Sequence, residues 1–269
     1  MDRFRLGLVI AAFIVCIYLS QRSSVPVEAA ISTTNFPYQN IDLPIEERVE
    51  DLLGRMTILE KVGQMALVER KHLRQLSDID TYKLGALLSG SGSRPATNTV
   101  ASWVDMTSTF QAVATGTRLG IPLLYGVDAV HGQAHVEGLT IFPHAIGLGA
   151  TRDENLVYKI ARATAIEMAA TGANWNFAPN LDMPYDHRWG RVYETYGVHQ
   201  STVTKFGEAF VRGTQFGVGE DSIHTKVLAT PKHYLGLGRM QFGTSNNKDY
   251  LIDQGVTPHN IQQLQQEYL

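Results

Sequence analysis

A carboxylate at the end of an apolar run constrains this chain more than any other feature. Ile121 to Val127 reads as a buried strand, and Asp128 follows it within Gly126-Val127-Asp128-Ala129-Val130-His131-Gly132. Two further polar clusters, Arg188-Trp189-Gly190-Arg191 and Lys232-His233, each close an apolar segment in the same way. Strands that alternate with helices predict a parallel sheet. In a barrel of such strands the carboxyl ends lie on one rim, where the site is built. The expected fold is therefore α/β, a (β/α)8 TIM barrel. Five or six strands are discernible, so the barrel is expected to be incomplete at its C-terminal end, with a parallel edge left unpaired.

Local signals fill in the order of elements. Pro44 suits the first turn of a helix to about Leu53. Thr57-Ile58-Leu59-Glu60 is a capping box that opens a helix through Met65. Leu84 to Ser89 reads as a strand running into Gly90-Ser91-Gly92-Ser93, a loop without a P-loop lysine. A helix is expected from Thr99 to about Arg118. Thr151-Arg152-Asp153-Glu154 reads as a second capping box, for a helix through Ala170 that ends at Gly172. Trp175 to Leu181 is a strand interrupted by Pro179, Val203 to Phe216 a helix and Lys226 to Tyr234 a strand. Thr257-Pro258 is expected to cap a last helix.

Bulk properties narrow the class of partner. A net charge of -3 over 269 residues offers no pull toward nucleic acid or anionic lipid. A neutral small molecule or polymer is the expected ligand. Arg3 and Arg5 precede an apolar run, Leu6 to Leu19, and Val27-Glu28-Ala29 resembles a cleavage site. This predicts a signal peptide over residues 1–30, a linker over 31–40 and a partial barrel domain over 41–269. The run is short for a span of about 20 residues; an uncleaved anchor is the alternative. The single cysteine, Cys16, lies in this run, so the remainder needs no disulfide. Secretion is the expectation, with periplasm and vacuole left open.

Asp128 either caps the turn that follows or accepts hydrogen bonds from ligand hydroxyls, since an ionised Asp is acceptor-only. His131 and His135 lie four apart, but Gly132 stands where a zinc protease helix needs Glu, so no metal is expected. Arg188 and Arg191 flank an indole that can stack on a sugar face. The alternative is structural pairing, with Glu194 one helical turn from Arg191. Arg191 can do both. Lys232 and His233 should point to opposite faces of a regular strand. If both serve one ligand, the backbone must leave strand geometry through a strained or cis peptide, and Pro231 makes a break there plausible.

Taken together, these segments resemble the N-terminal barrel domain of family 3 glycoside hydrolases, the β-glucosidase and exo-β-glucanase family. The resemblance spans roughly Leu43 to Leu269. It rests on Leu53-Gly54-Arg55-Met56-Thr57, the Asp128 and Arg191 motifs, Thr140-Ile141-Phe142-Pro143-His144, Gly147-Leu148-Gly149-Ala150-Thr151-Arg152-Asp153 and Ala229-Thr230-Pro231-Lys232-His233-Tyr234. It implies that Asp128, Arg191, Lys232 and His233 bind hydroxyls of the sugar in the cleavage subsite, without a cofactor. The implied partner is a β-linked glucoside or glucan oligosaccharide. The implied reaction is retaining, exo-acting β-glucosidase hydrolysis, which needs two carboxylates about 5 to 5.5 Å apart. In the family the nucleophile is an Asp in a Ser-Asp-Trp-like motif, and the acid/base belongs to a following domain. Neither is in this chain, so the nucleophile is expected beyond Leu269 and the chain alone is expected to be inactive. A sugar-binding fragment without catalytic groups is the main alternative. A metal-using barrel built on Asp128 and His131 is a third reading. Tyr185-Asp186-His187 differs from the family's usual loop and leaves substrate preference open.

Overall fold

Successive strands pair with their immediate neighbours, and this simple order decides where the polar clusters meet. The computed structural model describes residues 36–217, 225–258 and 260–269. The expected signal peptide lies outside the described residues. The chain divides into two compact units, one up to Arg55 and one from Met56 onward.

In the first unit, a 3-10 turn at Pro37–Gln39 precedes helix α1 (Ile45–Arg55). Glu46 and Glu47 in the first turn and Arg55 in the last complement the helix dipole. The turn is tied to the helix. Asp51 accepts from the Tyr38 amide at 3.1 Å, and Arg48 donates to the Tyr38 carbonyl at 2.9 Å.

The second unit contains helices α2 (Ile58–Gln64), α3 (Asp78–Thr81), α4 (Val100–Thr115), α5 (Ala145–Thr151), α6 (Glu154–Ala170), α7 (Gln200–Gln215) and α8 (Ile261–Tyr268). Between them run strands β1 (Leu67–Glu69), β2 (Ala86–Leu88), β3 (Leu124–Val127), β4 (Trp175–Asn176) and β5 (Leu228–Ala229). Every neighbouring pair is parallel, in the order β1-β2-β3-β4-β5. A doubly wound sheet reverses its strand order at a switch point. This sheet does not, which is the progression of a barrel wall.

Two apolar clusters hold the second unit together, one between helices and sheet and one between helices. Leu87, Tyr125 and Val127 of the strands pack with Trp103 and Phe110 of α4 and with Ala165 and Met168 of α6. Val157, Ile160 and Ala161 of α6 meet Val203, Phe206 and Phe210 of α7 in the second cluster. Each fully buried large side chain contributes about 1.5–3 kcal/mol.

The helix starts follow their caps, with two corrections. Thr57 and Glu60 form the expected capping box, bonded at 3.2 and 2.8 Å. Thr151, in contrast, does not cap α6. It closes α5, its hydroxyl donates to the Leu148 carbonyl at 2.6 Å, and Arg152 adopts φ 57°. Asp153 is the N-cap, accepting from the Leu156 amide at 3.0 Å. Likewise, Thr257 donates to the Gly236 carbonyl, and Asn260 caps α8 in a capping box with Gln263. The expected strands at Trp175–Leu181 and Lys226–Tyr234 shorten to two residues each. Pro179 has no amide for the ladder, and the Thr230 amide is shared between the Asn176 and Ala178 carbonyls at 3.0 and 2.9 Å.

Two outcomes check this packing. A Cβ at Gly213 on α7 would lie 2.4 Å from the Tyr158 carbonyl oxygen of α6. Gly213→Ala should therefore cost about 1–3 kcal/mol in urea denaturation. The second concerns acid. Arg118, bonded to Glu60 at 2.6 Å, holds the Glu60 carboxyl down at about 2 against the effect of burial. A depressed folded-state pKa gives stability that is present above the unfolded value of 4.5 and is lost as pH falls toward 2. The stability gap between wild type and Glu60→Gln should be open at pH 7 and close across that window.

Candidate functional site

The carboxyl ends of β3, β4 and β5 carry the site. Asn176 in β4 is fully buried, and its side chain accepts from the Ala129 amide at 3.0 Å and donates to the Ala129 carbonyl at 3.2 Å. That clamp replaces ladder bonds for the residue after Asp128 and so sets where Asp128 leaves the strand. Gly132 lets the same loop turn. Its φ is 108°, and a Cβ there would meet the Thr140 carbonyl oxygen at 2.1 Å.

Beyond β4 and β5 the chains stay joined although neither is a regular strand. Ala178–Pro179 is cis, and so is the non-proline peptide Lys232–His233. The Leu181 amide donates to the Lys232 carbonyl at 2.6 Å, and the Lys232 amide to the Pro179 carbonyl at 2.9 Å. Lys232 and His233 both turn their side chains into one polar cluster, the departure from strand geometry that a shared ligand requires.

The four expected residues come together there. Lys232 Nζ lies 2.7 Å from Asp128 Oδ1, and Arg191 Nη2 lies 3.4 Å from His233 Nε2. The Asp128, His233 and Arg191 side chains are 47, 33 and 32% exposed, which leaves them within reach of a ligand. A cleft of about 350 Å³ beside Asp128 is lined by Ser91, Arg94, His131 and His135. A larger hollow, about 630 Å³, touches Lys232 and His233 but is walled mainly by α7 and lacks Asp128 and Arg191. Neither hollow takes in all four: the cleft reaches Asp128 alone of them, and the pairs Asp128–Lys232 and Arg191–His233 lie between the two.

Two carboxylates organise the cations. Glu194 accepts from Arg191 Nε and Nη2, each at 2.8 Å, across a short 3-10 turn. Burial pushes the Glu194 carboxyl up, but Arg191, Asn180 and nearby Lys232 outweigh it and hold it below its usual range. The Glu194 bond in turn raises Arg191 above the usual guanidinium value. Asp182 is fully buried, and its Oδ2 lies 2.7 Å from His233 Nδ1. The sequence reading omitted Asp182, although it ends the segment from Trp175 by the same rule that singled out Asp128.

The Arg188-Trp189 half of its motif is a correction. Trp189 is only 2% exposed, packs with Met240 and Ile252, and donates to Asp253 at 3.0 Å. It has no face to offer a sugar. Arg188 pairs with Asp186 and lies 3.7 Å over the Phe242 ring, a structural pairing. The two histidines of the zinc reading part company. The His131 ring lies against His144, 4.0 Å between centroids and tilted by 32°, whereas His135 Nε2 faces the Asp128 carbonyl at 3.3 Å.

Comparison with known proteins matches this geometry to a family. The model for the glycosyl hydrolase family 3 N terminal domain matches residues 57–269. A lysosomal beta glucosidase of Dictyostelium discoideum is 32% identical over 70% of this chain and 25% of its own length. A periplasmic beta-glucosidase of Salmonella typhimurium is 31% identical over 74% of this chain and 24% of its own. The exo-1,3/1,4-beta-glucanase of a Pseudoalteromonas species, as a Q683A mutant, superimposes with a TM-score of 0.74 at 35% identity. That match covers 87% of this chain and 38% of the glucanase. The chain thus spans about a quarter of the length of the two curated relatives. Motifs, sheet order and similarity agree: the chain belongs to glycosyl hydrolase family 3, whose N-terminal domain matches over residues 57–269.

Proposed function

We propose that this chain supplies the glucose-holding rim of a retaining, exo-acting β-glucosidase, with a β-linked glucoside or glucan oligosaccharide as substrate. One observation carries the reading: Asp128, Arg191, Lys232 and His233, far apart in sequence, meet at one rim, where Lys232 bonds Asp128 and Arg191 faces its chain neighbour His233. Asp128 accepts from sugar hydroxyls, whereas Lys232 and Arg191 donate to them. A hydroxyl does both, so an alternation of acceptors and donors fits a neutral pyranose. These groups are paired with one another before ligand arrives. Their orientation is set in advance, and binding energy goes to holding the ring for attack.

The covalent step needs a second set of groups. Retaining hydrolysis uses two carboxylates about 5 to 5.5 Å apart, one of them a nucleophile. No Ser-Asp-Trp occurs among the 269 residues. On this reading the chain binds the sugar and does not cleave the glycoside. The Arg-flanked apolar segment near the N-terminus, and relatives named lysosomal and periplasmic, support export from the cytoplasm. Among the described residues no helix is long and apolar enough to cross a membrane.

Calorimetric titration of the 269-residue chain with D-glucose tests the site. Asp128→Asn and Arg191→Ala should each weaken binding by about tenfold or more, the scale of a lost charge-assisted hydrogen bond. Arg188→Ala should change affinity by less than about threefold, because Arg188 is occupied by Asp186 and Phe242. Equal effects at Arg188 and Arg191 would contradict the assignment. Incubation with p-nitrophenyl β-glucoside should release no p-nitrophenol. Turnover abolished by changing one of the chain's own carboxylates would overturn the division between holding and cleaving.

A further inference from the structure

We propose that Asp182 is a positioning residue: it holds His233 in the Nδ1–H tautomer and leaves the Nε2 lone pair facing Arg191. The inference rests on the reading of this rim as a sugar site and adds to it a residue that no ligand touches.

Hydrogen-bond complementarity carries the argument. Asp182 Oδ2 lies 2.7 Å from Nδ1, and an ionised carboxylate can only accept, so Nδ1 carries the proton. At the other end of the ring, Arg191 Nη2 lies 3.4 Å from Nε2, and a guanidinium can only donate. Nε2 therefore faces Arg191 as an acceptor. The opposite tautomer would set lone pair against lone pair at Asp182 and N–H against N–H at Arg191. A doubly protonated ring would keep the second clash. Arg191 cannot readily turn away, because Glu194 grips Nε and Nη2 together.

Asp182 itself is built into the rim. Its amide donates to Asn180 Oδ1 at 2.8 Å, and Asn180 pairs in a parallel bridge with Lys232, the residue before His233. The carboxylate is fully buried, and its Oδ1 has no hydrogen-bond partner among the described residues. A buried carboxylate with one oxygen unmatched is a poor device for stability alone. Its one side-chain bond goes to His233. The ring, one-third exposed, then presents its one acceptor toward Arg191 across a long 3.4 Å contact. A sugar hydroxyl that displaces this contact can donate to it.

Two measurements on the 269-residue chain test this. Two-bond 1H–15N correlation at pH 8 should show His233 with a protonated Nδ1 and a bare Nε2. A bare Nδ1 in the wild type would overturn the proposal. Glucose affinity in a double-mutant cycle gives the second readout. Asp182→Ala and His233→Ala should each weaken binding by about tenfold, and the double variant should be no worse than His233→Ala alone. Losses that multiply would show that Asp182 acts apart from His233 and would also overturn the proposal. Should Asp182→Ala fail to fold, Asp182→Asn takes its place. Its carbonyl oxygen can still accept from Nδ1–H, so tautomer and affinity should both be largely retained; loss of the tautomer there would count against the proposal. If His233→Ala leaves glucose affinity unchanged, the sugar-site reading fails, while the wild-type tautomer still decides the hold of Asp182 on His233.

Discussion

Parallel pairing in sequence order is the constraint on which the rest depends. It sends the chain off the same rim each time it leaves β3, β4 and β5, so residues 128, 182 and 232 become neighbours. The ladder alone is too short to aim side chains, because β4 and β5 are two residues long. Aim comes from bonds just past the strands. Asn176 clamps Ala129, and the Lys232 amide and carbonyl bind the segment after β4. One side chain at Ala129 and backbone bonds beyond Pro179 thus extend the sheet past the ends of its strands.

The same rim shows how charge is kept usable. Lys232 is matched by Asp128 and Arg191 by Glu194, while Asp182 is met by the Nδ1 side of the His233 ring. Unmatched charges at partly buried positions would be costly. Matching each one locally lets a neutral ligand enter without bringing a counter-charge. Glu194, held below the usual carboxylate range, stays ionised and keeps Arg191 anchored through neutral pH.

Much of this was legible in the sequence where a local rule is also the controlling one. The Thr57–Glu60 capping box, the helix after Thr99 and the strand before Asp128 all follow from short-range chemistry. The rule that a charged residue ending an apolar run marks a barrel rim gathered Asp128, the Arg188–Arg191 cluster and Lys232-His233, and the family resemblance narrowed these to Asp128, Arg191, Lys232 and His233. What escaped depends on competition or on distance. Thr151 and Asp153 are two plausible caps in a row, and only the αL turn at Arg152 decides between them. Strand β1 is three residues long and gives almost no periodicity. Trp189 looked available to a ligand because nothing local reveals its contact with residues some fifty to sixty positions on. Asp182 was accessible to the rim rule but sits behind a proline that disguises the strand end.

The buried indole gives the rim an unexpected tether. Trp189 stands two positions before Arg191 and is pegged between Met240, Ile252 and the carboxylate of Asp253. The excursion that holds these three adds no side chain to the four-residue cluster, but it anchors the stem from which the guanidinium reaches, and the Asp253 charge bears on Arg191. Sequence drift in that excursion can therefore retune the grip on a ligand by remote control, with every group at the cleft left unaltered.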